Sequence, residues 1–254
     1  MKMQRPPFGG LAPYSRKNRG CKTRPDYSTA GDTVNCKLNL YLTLHNVKTN
    51  IYVDGFNLYF RCLRSTPCKW LDIAKLCQLL LPHNTINQIK YFTANIKPRP
   101  GDPDQPLRQK IYFRALETIP NLSIIRGTFL THHVRMLKVG CPPAKDTSYV
   151  NVIKTEEKGS DVNLATHLLY DACRGDFECA AVISKDSDLL EPIRIVREEL
   201  GLTVGLLNPG KKKSLALIPH VDFIKEIRRG VLMASQFSDE LEDDKGKFSK
   251  PASW

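Results

Sequence analysis

No C-x-x-C pair occurs in the chain, and its eight cysteines (Cys21, Cys36, Cys62, Cys68, Cys77, Cys141, Cys173 and Cys179) are scattered. Without paired spacing or a secretory leader ahead of them, neither a zinc ribbon nor a disulfide framework is supported. No apolar run approaches the roughly 18–20 residues that a bilayer span requires, so no membrane partner is expected. The first fifty residues also lack the roughly 7–15-residue apolar core of a signal peptide. A reduced, cytoplasmic compartment is the expectation. Also missing are a G-x-G-x-x-G phosphate loop, a flavin fingerprint, a His-His-carboxylate iron triad at recognisable spacing, and any internal repeat.

Acids are outnumbered, with 26 Asp and Glu against 38 Lys and Arg, giving a net charge of +12. The excess is uneven. Residues 1–50 hold nine Lys and Arg against two acids, whereas 236–254 holds three Lys against five acids. A basic body is compatible with a polyanion such as nucleic acid, and equally with plain solubility. The 254 residues, 41% hydrophobic, suffice for one good core. Residues 1–48 read as a basic, poorly ordered leader, 49–228 as the folded domain, and 236–254 as a polar, solvated C-terminal tail. Cys62, Cys77, Cys173 and Cys179 lie in apolar-periodic stretches, where a free thiol acts as a small hydrophobe.

Strands and helices alternate along the body. Asn50–Asp54 is a short apolar run closed by Asp-Gly, which predicts a buried strand. Helical spacing follows over Asn57–Arg64 and Leu71–Leu81, then a strand over Gln88–Ile96 and a proline-rich loop. Leu107–Ile119 carries a helical apolar face, and Leu122–Leu130 reads as a strand. Thr131–Glu157 reads as a long irregular connection, and long connections in compact domains are usually functional or mobile. Lys158–Arg174 is helical, Ala180–Ser184 a buried strand, Leu189–Leu200 a helix, Thr203–Leu207 a strand and Val221–Ile227 a last element. Strands this apolar need cover on both sides, so the expected fold is α/β, a doubly wound and mainly parallel sheet with helices on both faces. Chemistry in such sheets collects beyond the carboxyl ends of the strands, where strand order reverses.

Aspartates stand at those strand ends. The first strand delivers Asp54-Gly55-Phe56-Asn57 and a later one Ser184-Lys185-Asp186-Ser187-Asp188. Between them, Glu156-Glu157-Lys158-Gly159-Ser160-Asp161 sits where a helix begins. Singly, each has an ordinary structural use, because Asp and Ser are preferred helix caps and acids complement the helix dipole. Together they are different: several carboxylates brought within a few ångströms cannot all ionise at neutral pH without compensation. A hard divalent cation, Mg²⁺ or Mn²⁺, supplies it through oxygen ligands.

Val53-Asp54-Gly55-Phe56-Asn57-Leu58, Glu157 to Ala165 and Ile183-Ser184-Lys185-Asp186-Ser187-Asp188 resemble three signature blocks of the NYN family, PIN-like proteins related to the bacterial LabA-type group. Gly127-Thr128-Phe129 and Val221-Asp222-Phe223-Ile224 agree, and the resemblance spans roughly residues 49–228. It implies a PIN-like sheet and a Mg²⁺- or Mn²⁺-dependent ribonuclease acting on single-stranded RNA. Asp54, Asp161, Asp186 and Asp188 would form the acidic, metal-holding and catalytic quartet, with Asn57 and Ser184 as hydrogen-bonding neighbours. Lys158 would contact the scissile phosphate or pair with Glu157. Lys185 stands where the family usually has glycine, placing a cation beside the site, and His167 where members often place another acid. A non-catalytic module binding nucleic acid or a protein partner is an alternative. The Val53–Tyr59 start also resembles bacterial chains assigned as 6-hydroxy-3-succinoylpyridine hydroxylases of nicotine breakdown, which implies an NADH-using monooxygenase with a small aromatic substrate.

Weaker candidates remain. Asn208-Pro209-Gly210-Lys211-Lys212-Lys213 is either a phosphate-contacting loop or a solvated one. His132, His133 and Cys141 lack the second pair that a zinc site needs. Phe129, Tyr149 and Tyr112 could stack bases, although Tyr112 lies on an apolar helix face and reads as core.

Overall fold

A computed structural model describes residues 46–141, 148–210 and 214–254. The expected leader, up to residue 45, and Lys211–Lys213 lie outside the described residues. Seven strands form one sheet in the order β4-β3-β2-β1-β5-β6-β7. They are β1 (Val47–Asp54), β2 (Asn84–Ala94), β3 (Leu122–Leu137), β4 (Tyr149–Lys158), β5 (Cys179–Ile183), β6 (Thr203–Pro209) and β7 (Phe223–Ile227). Every pairing is parallel except β3 with β4.

Alternation along the central strands divides the core in two. Ile51 and Val53 of β1 and Ala181 and Ile183 of β5 pack on one face, Tyr52, Ala180 and Val182 on the other, as successive strand side chains must. The first face is covered by α1 (Gly55–Leu58, continuing as a wide-turn segment Tyr59–Leu63), α2 (Ile73–Leu80) and α3 (Gln105–Glu117). The second is covered by α4 (Ser160–Arg174) and α5 (Leu190–Arg194). With helices on both faces and β1 flanked by β2 and β5, the sheet is doubly wound, and strand order reverses beside β1. No helix among the described residues is long and apolar enough to cross a membrane.

Two stretches depart from the sequence reading. Thr131–Glu157 is not an irregular connection: β3 runs on to Leu137 and returns as β4, an antiparallel ladder from Thr128–Lys158 to Leu137–Tyr149. Residues 236–254 are not a solvated tail. They form the hairpin β8 (Glu240–Asp243) and β9 (Gly246–Ser249), whose Leu241 and Phe248, with Phe237 and Trp254, pack against the first core. Trp70, fully buried, is the anchor. Its indole N–H donates to the Ser238 carbonyl at 2.7 Å, and Phe237, Phe248 and Trp254 lie around its ring. Arg114 of α3 pins the hairpin, donating to Asp243 at 2.6 and 2.7 Å and to the Gly246 carbonyl, while its guanidinium lies 4.1 Å from the Phe248 ring centre.

Candidate active site at the carboxyl ends of β1 and β5

Asp54 ends β1 and caps α1. One carboxylate oxygen accepts the Asn57 backbone N–H at 2.9 Å, and the other accepts the Ser184 hydroxyl at 2.9 Å. Ser184, fully buried just beyond β5, accepts in turn the Asp186 backbone N–H at 3.0 Å. Asp186 caps the next turn by accepting the Asp188 N–H at 3.0 Å. These local caps link the ends of β1 and β5, which pair in register up to Val53 with Ile183. Burial pushes the Asp54 carboxyl up, and its hydrogen bonds from Asn57 and Ser184 pull it back down.

Asp161 arrives from the first turn of α4. The route depends on Gly127 of β3, where a β-carbon would run into the Glu157 carboxylate and lie 2.6 Å from the Lys158 carbonyl. Glycine there lets the β4–α4 corner close against the sheet. Gly159, at φ +102, then turns the chain into α4 in the left-handed region that glycine tolerates. Glu157 tightens the corner by accepting both the Ser160 N–H at 3.0 Å and the Ser160 hydroxyl at 2.6 Å. Asp161 is pushed up to about 6 by burial first, then by the charges of Asp54, Asp186, Glu157 and Asp188.

Asp54, Asn57, Asp161 and Asp186 line a single cleft of about 830 Å³, joined by Glu157. Asp188 is exposed and does not line it, although its charge reaches Asp161. Lys158 is exposed and pairs with Glu156 at 3.6 Å, so the expected partner Glu157 is engaged elsewhere. Lys185 acts electrostatically on Cys62 and does not line the cleft. His167 meets a separate buried network with Lys90 (3.4 Å), in which Lys90 and the Tyr52 hydroxyl both donate to Asp171. Burial and Lys90 hold the His167 imidazole below its usual range. His132 and His133 are neighbours on a strand, so they point to opposite faces and do not form a shared zinc site. Phe129 lines the cleft, packed edge-on against Phe56, while Tyr112 is buried as expected.

The donor set suits a hard cation by its chemistry. Oxygen ligands crowd one another electrostatically, and the side-chain oxygen of Asn57 is buried without a hydrogen-bond partner. Among the described residues no group of three or more His, Cys, Asp or Glu side chains is drawn together closely enough to hold a metal ion. Mg²⁺ does not require one, because it keeps several waters and takes one or two protein carboxylates.

Sequence reasoning missed part of this cleft. Lys69, Arg99, Arg108 and Trp254 also line it. They come from loops, α3 and the C-terminal segment, and no local spacing connects them.

The doubly wound, mainly parallel sheet with carboxylates at its switch point is an α/β architecture consistent with a PIN-like fold. The chain belongs to the NYN family, whose domain model matches residues 48–225. It is 30% identical to 6-hydroxy-3-succinoylpyridine 3-monooxygenase HspA of Pseudomonas putida, over 82% of this chain and 75% of that relative. A crystal structure of a Vibrio parahaemolyticus protein of unknown function overlaps with a TM-score of 0.49 at 14% identity, covering 73% of this chain and 95% of that one.

Proposed function

We propose that the chain is a divalent-metal-dependent hydrolase of phosphodiester bonds in single-stranded RNA. The observation that carries this reading is the meeting of Asp54, Asp161 and Asp186, from three separate segments, in one cleft, where burial first and the neighbouring carboxylates second raise the proton affinity of Asp161. Asp54, Asp161 and Asp186 would hold Mg²⁺ or Mn²⁺ through one or two direct carboxylates and bound waters, with Asp188, outside the cleft, contributing charge only; when bound, the ion would supply the missing positive charge and polarise a phosphoryl oxygen. Asp54 is fixed from both sides by Asn57 and Ser184, so it presents one orientation to the cleft. Asp161, half-buried in the first turn of α4 and lining the cleft, is placed to orient an attacking water beside the ion. Phe60, 51% exposed and stacked near Phe56, offers a face for a base. A nucleic-acid partner is supported by the NYN domain and by the net charge of +12.

The test compares labelled single-stranded RNA, duplex RNA and single-stranded DNA in Mn²⁺ and in EDTA. The reading expects cleavage of the single-stranded RNA, dependent on metal and abolished by Asp54→Asn. Equal cleavage by the Asp54→Asn protein would overturn it.

One observation favours a second reading. The relative named for 6-hydroxy-3-succinoylpyridine oxidation shares 30% identity across most of the chain, and the cleft is large enough for a small aromatic substrate. An NADH-dependent monooxygenase on this scaffold would oxidise NADH only when the pyridine is present, which absorbance at the NADH band measures directly.

A further inference from the structure

The cleft extends well past its carboxylates, along a path of rings. Tyr91 abuts Gly55, where a β-carbon would lie 2.6 Å from the ring, so it sits directly behind Asp54. Tyr91 and Tyr112 have ring centres 6.5 Å apart, and Tyr112 and Trp254 5.6 Å apart. The C-terminal hairpin, pinned by Arg114, delivers Trp254 to this end, where it leans at 67° on the buried Trp70. Lys69, Arg99 and Arg108 line the same end, together with the Asp102 carboxylate. Asp102 is committed to Arg108. Arg99 is exposed, and no ion-pair partner for it is found among the described residues.

We propose that Trp254, Lys69, Arg99 and Arg108 form a second subsite of the cleft, backed by the buried Tyr112, which seats a flat aromatic ring carrying an anionic group. The Trp254 indole takes the flat face, and the cations take the anion. The acidic end repels that anion, so the ligand enters with its charge pointed away from Asp54. This rests on the hydrolase reading only for its source: there the ligand is a nucleotide flanking the scissile bond, its base on Trp254 and its phosphate on Arg99 and Lys69. A small pyridine acid carries the same chemistry.

Calorimetric titration of the full chain in EDTA separates these without any turnover. The probes are uridine monophosphate, uridine, inorganic phosphate and nicotinate. Ring and anion together should bind about tenfold or more tightly than uridine or phosphate alone. Arg99→Ala, an exposed change, should weaken binding about tenfold. Trp254→Ala should weaken it about as much, and Trp254→Phe should largely restore it. Uridine binding as well as its monophosphate, or both alanine variants binding like wild type, would overturn the subsite. The monophosphate binding more tightly than nicotinate supports the nucleotide source. The reverse order keeps the subsite and counts against the hydrolase reading. RNA cleavage with unaltered binding in the variants does the opposite.

Discussion

At Asp161, burial and four neighbouring carboxylates raise the pKa from 3.8 to about 6. Below about pH 4 the group is protonated in both folded and unfolded chains, so it contributes nothing to pH dependence. Between about 4 and 6 only the unfolded chain has ionised, and stability falls as pH rises; above about 6 the full penalty is in place. Asp161→Asn should therefore stabilise the metal-free protein at pH 7.5 by about 1–2 kcal/mol after allowing for solvent screening of a half-exposed group. Urea denaturation should find no such gain at pH 4. With Mn²⁺ the order reverses, because only the wild type gains melting temperature from the ion. Ser184 tests the site's scaffolding. Its hydroxyl serves Asp54 and the Asp186 N–H at once, so Ser184→Ala strands one oxygen of the buried Asp54 carboxylate and the half-buried Asp186 N–H, and should cost about 1–3 kcal/mol in the same assay. The carboxylates themselves were legible in the sequence, Asp54, Asp186 and Asp188 because they follow apolar strands and Asp161 because it opens a helix. Glu157 was visible, but its part in holding the α4 corner was not, since that depends on Gly127 from a distant strand.

Among the elements, the central strands were the easiest to foresee. β1, β5 and β6 are buried on both faces and read as continuous apolar runs. The β3–β4 ladder was hidden for the opposite reason. Past Phe129 its apolar residues Leu130, Val134 and Met136 share a face with His132, opposite Thr131, His133 and Arg135, and this broken, largely exposed pattern marks a strand only weakly. The same ladder sets the α4 corner, and Gly127 is its tightest point. Gly127→Ala would press a methyl into Glu157 and the Lys158 carbonyl, and overpacking of this kind costs about 1–3 kcal/mol. The change should lower melting temperature and displace Asp161, with a loss of Mn²⁺-induced stabilisation that an equally destabilising surface mutation would not cause.

Across the whole molecule, the reversal of strand order beside β1 brings Asp54, Asp161 and Asp186 to one cleft, and Ser253 and Trp254, beyond the C-terminal hairpin, line another part of it. That hairpin escaped detection because Glu240–Asp243 and Gly246–Ser249 are four residues each, dominated by charge, and their apolar residues gain meaning only beside Trp70. Deleting 236–254 should expose Trp70 and cost about 3 kcal/mol or more, on the scale of burying one or two aromatic side chains; a solvated tail would leave the urea midpoint unchanged. The most direct test of the central claim is Mn²⁺-dependent cleavage of labelled single-stranded RNA by the wild type beside Asp186→Asn, with NADH oxidation on hydroxypyridine substrates followed in parallel. The account predicts RNA cleavage that is lost in the mutant, with no pyridine-dependent NADH loss. Intact RNA together with pyridine-dependent NADH oxidation would contradict it.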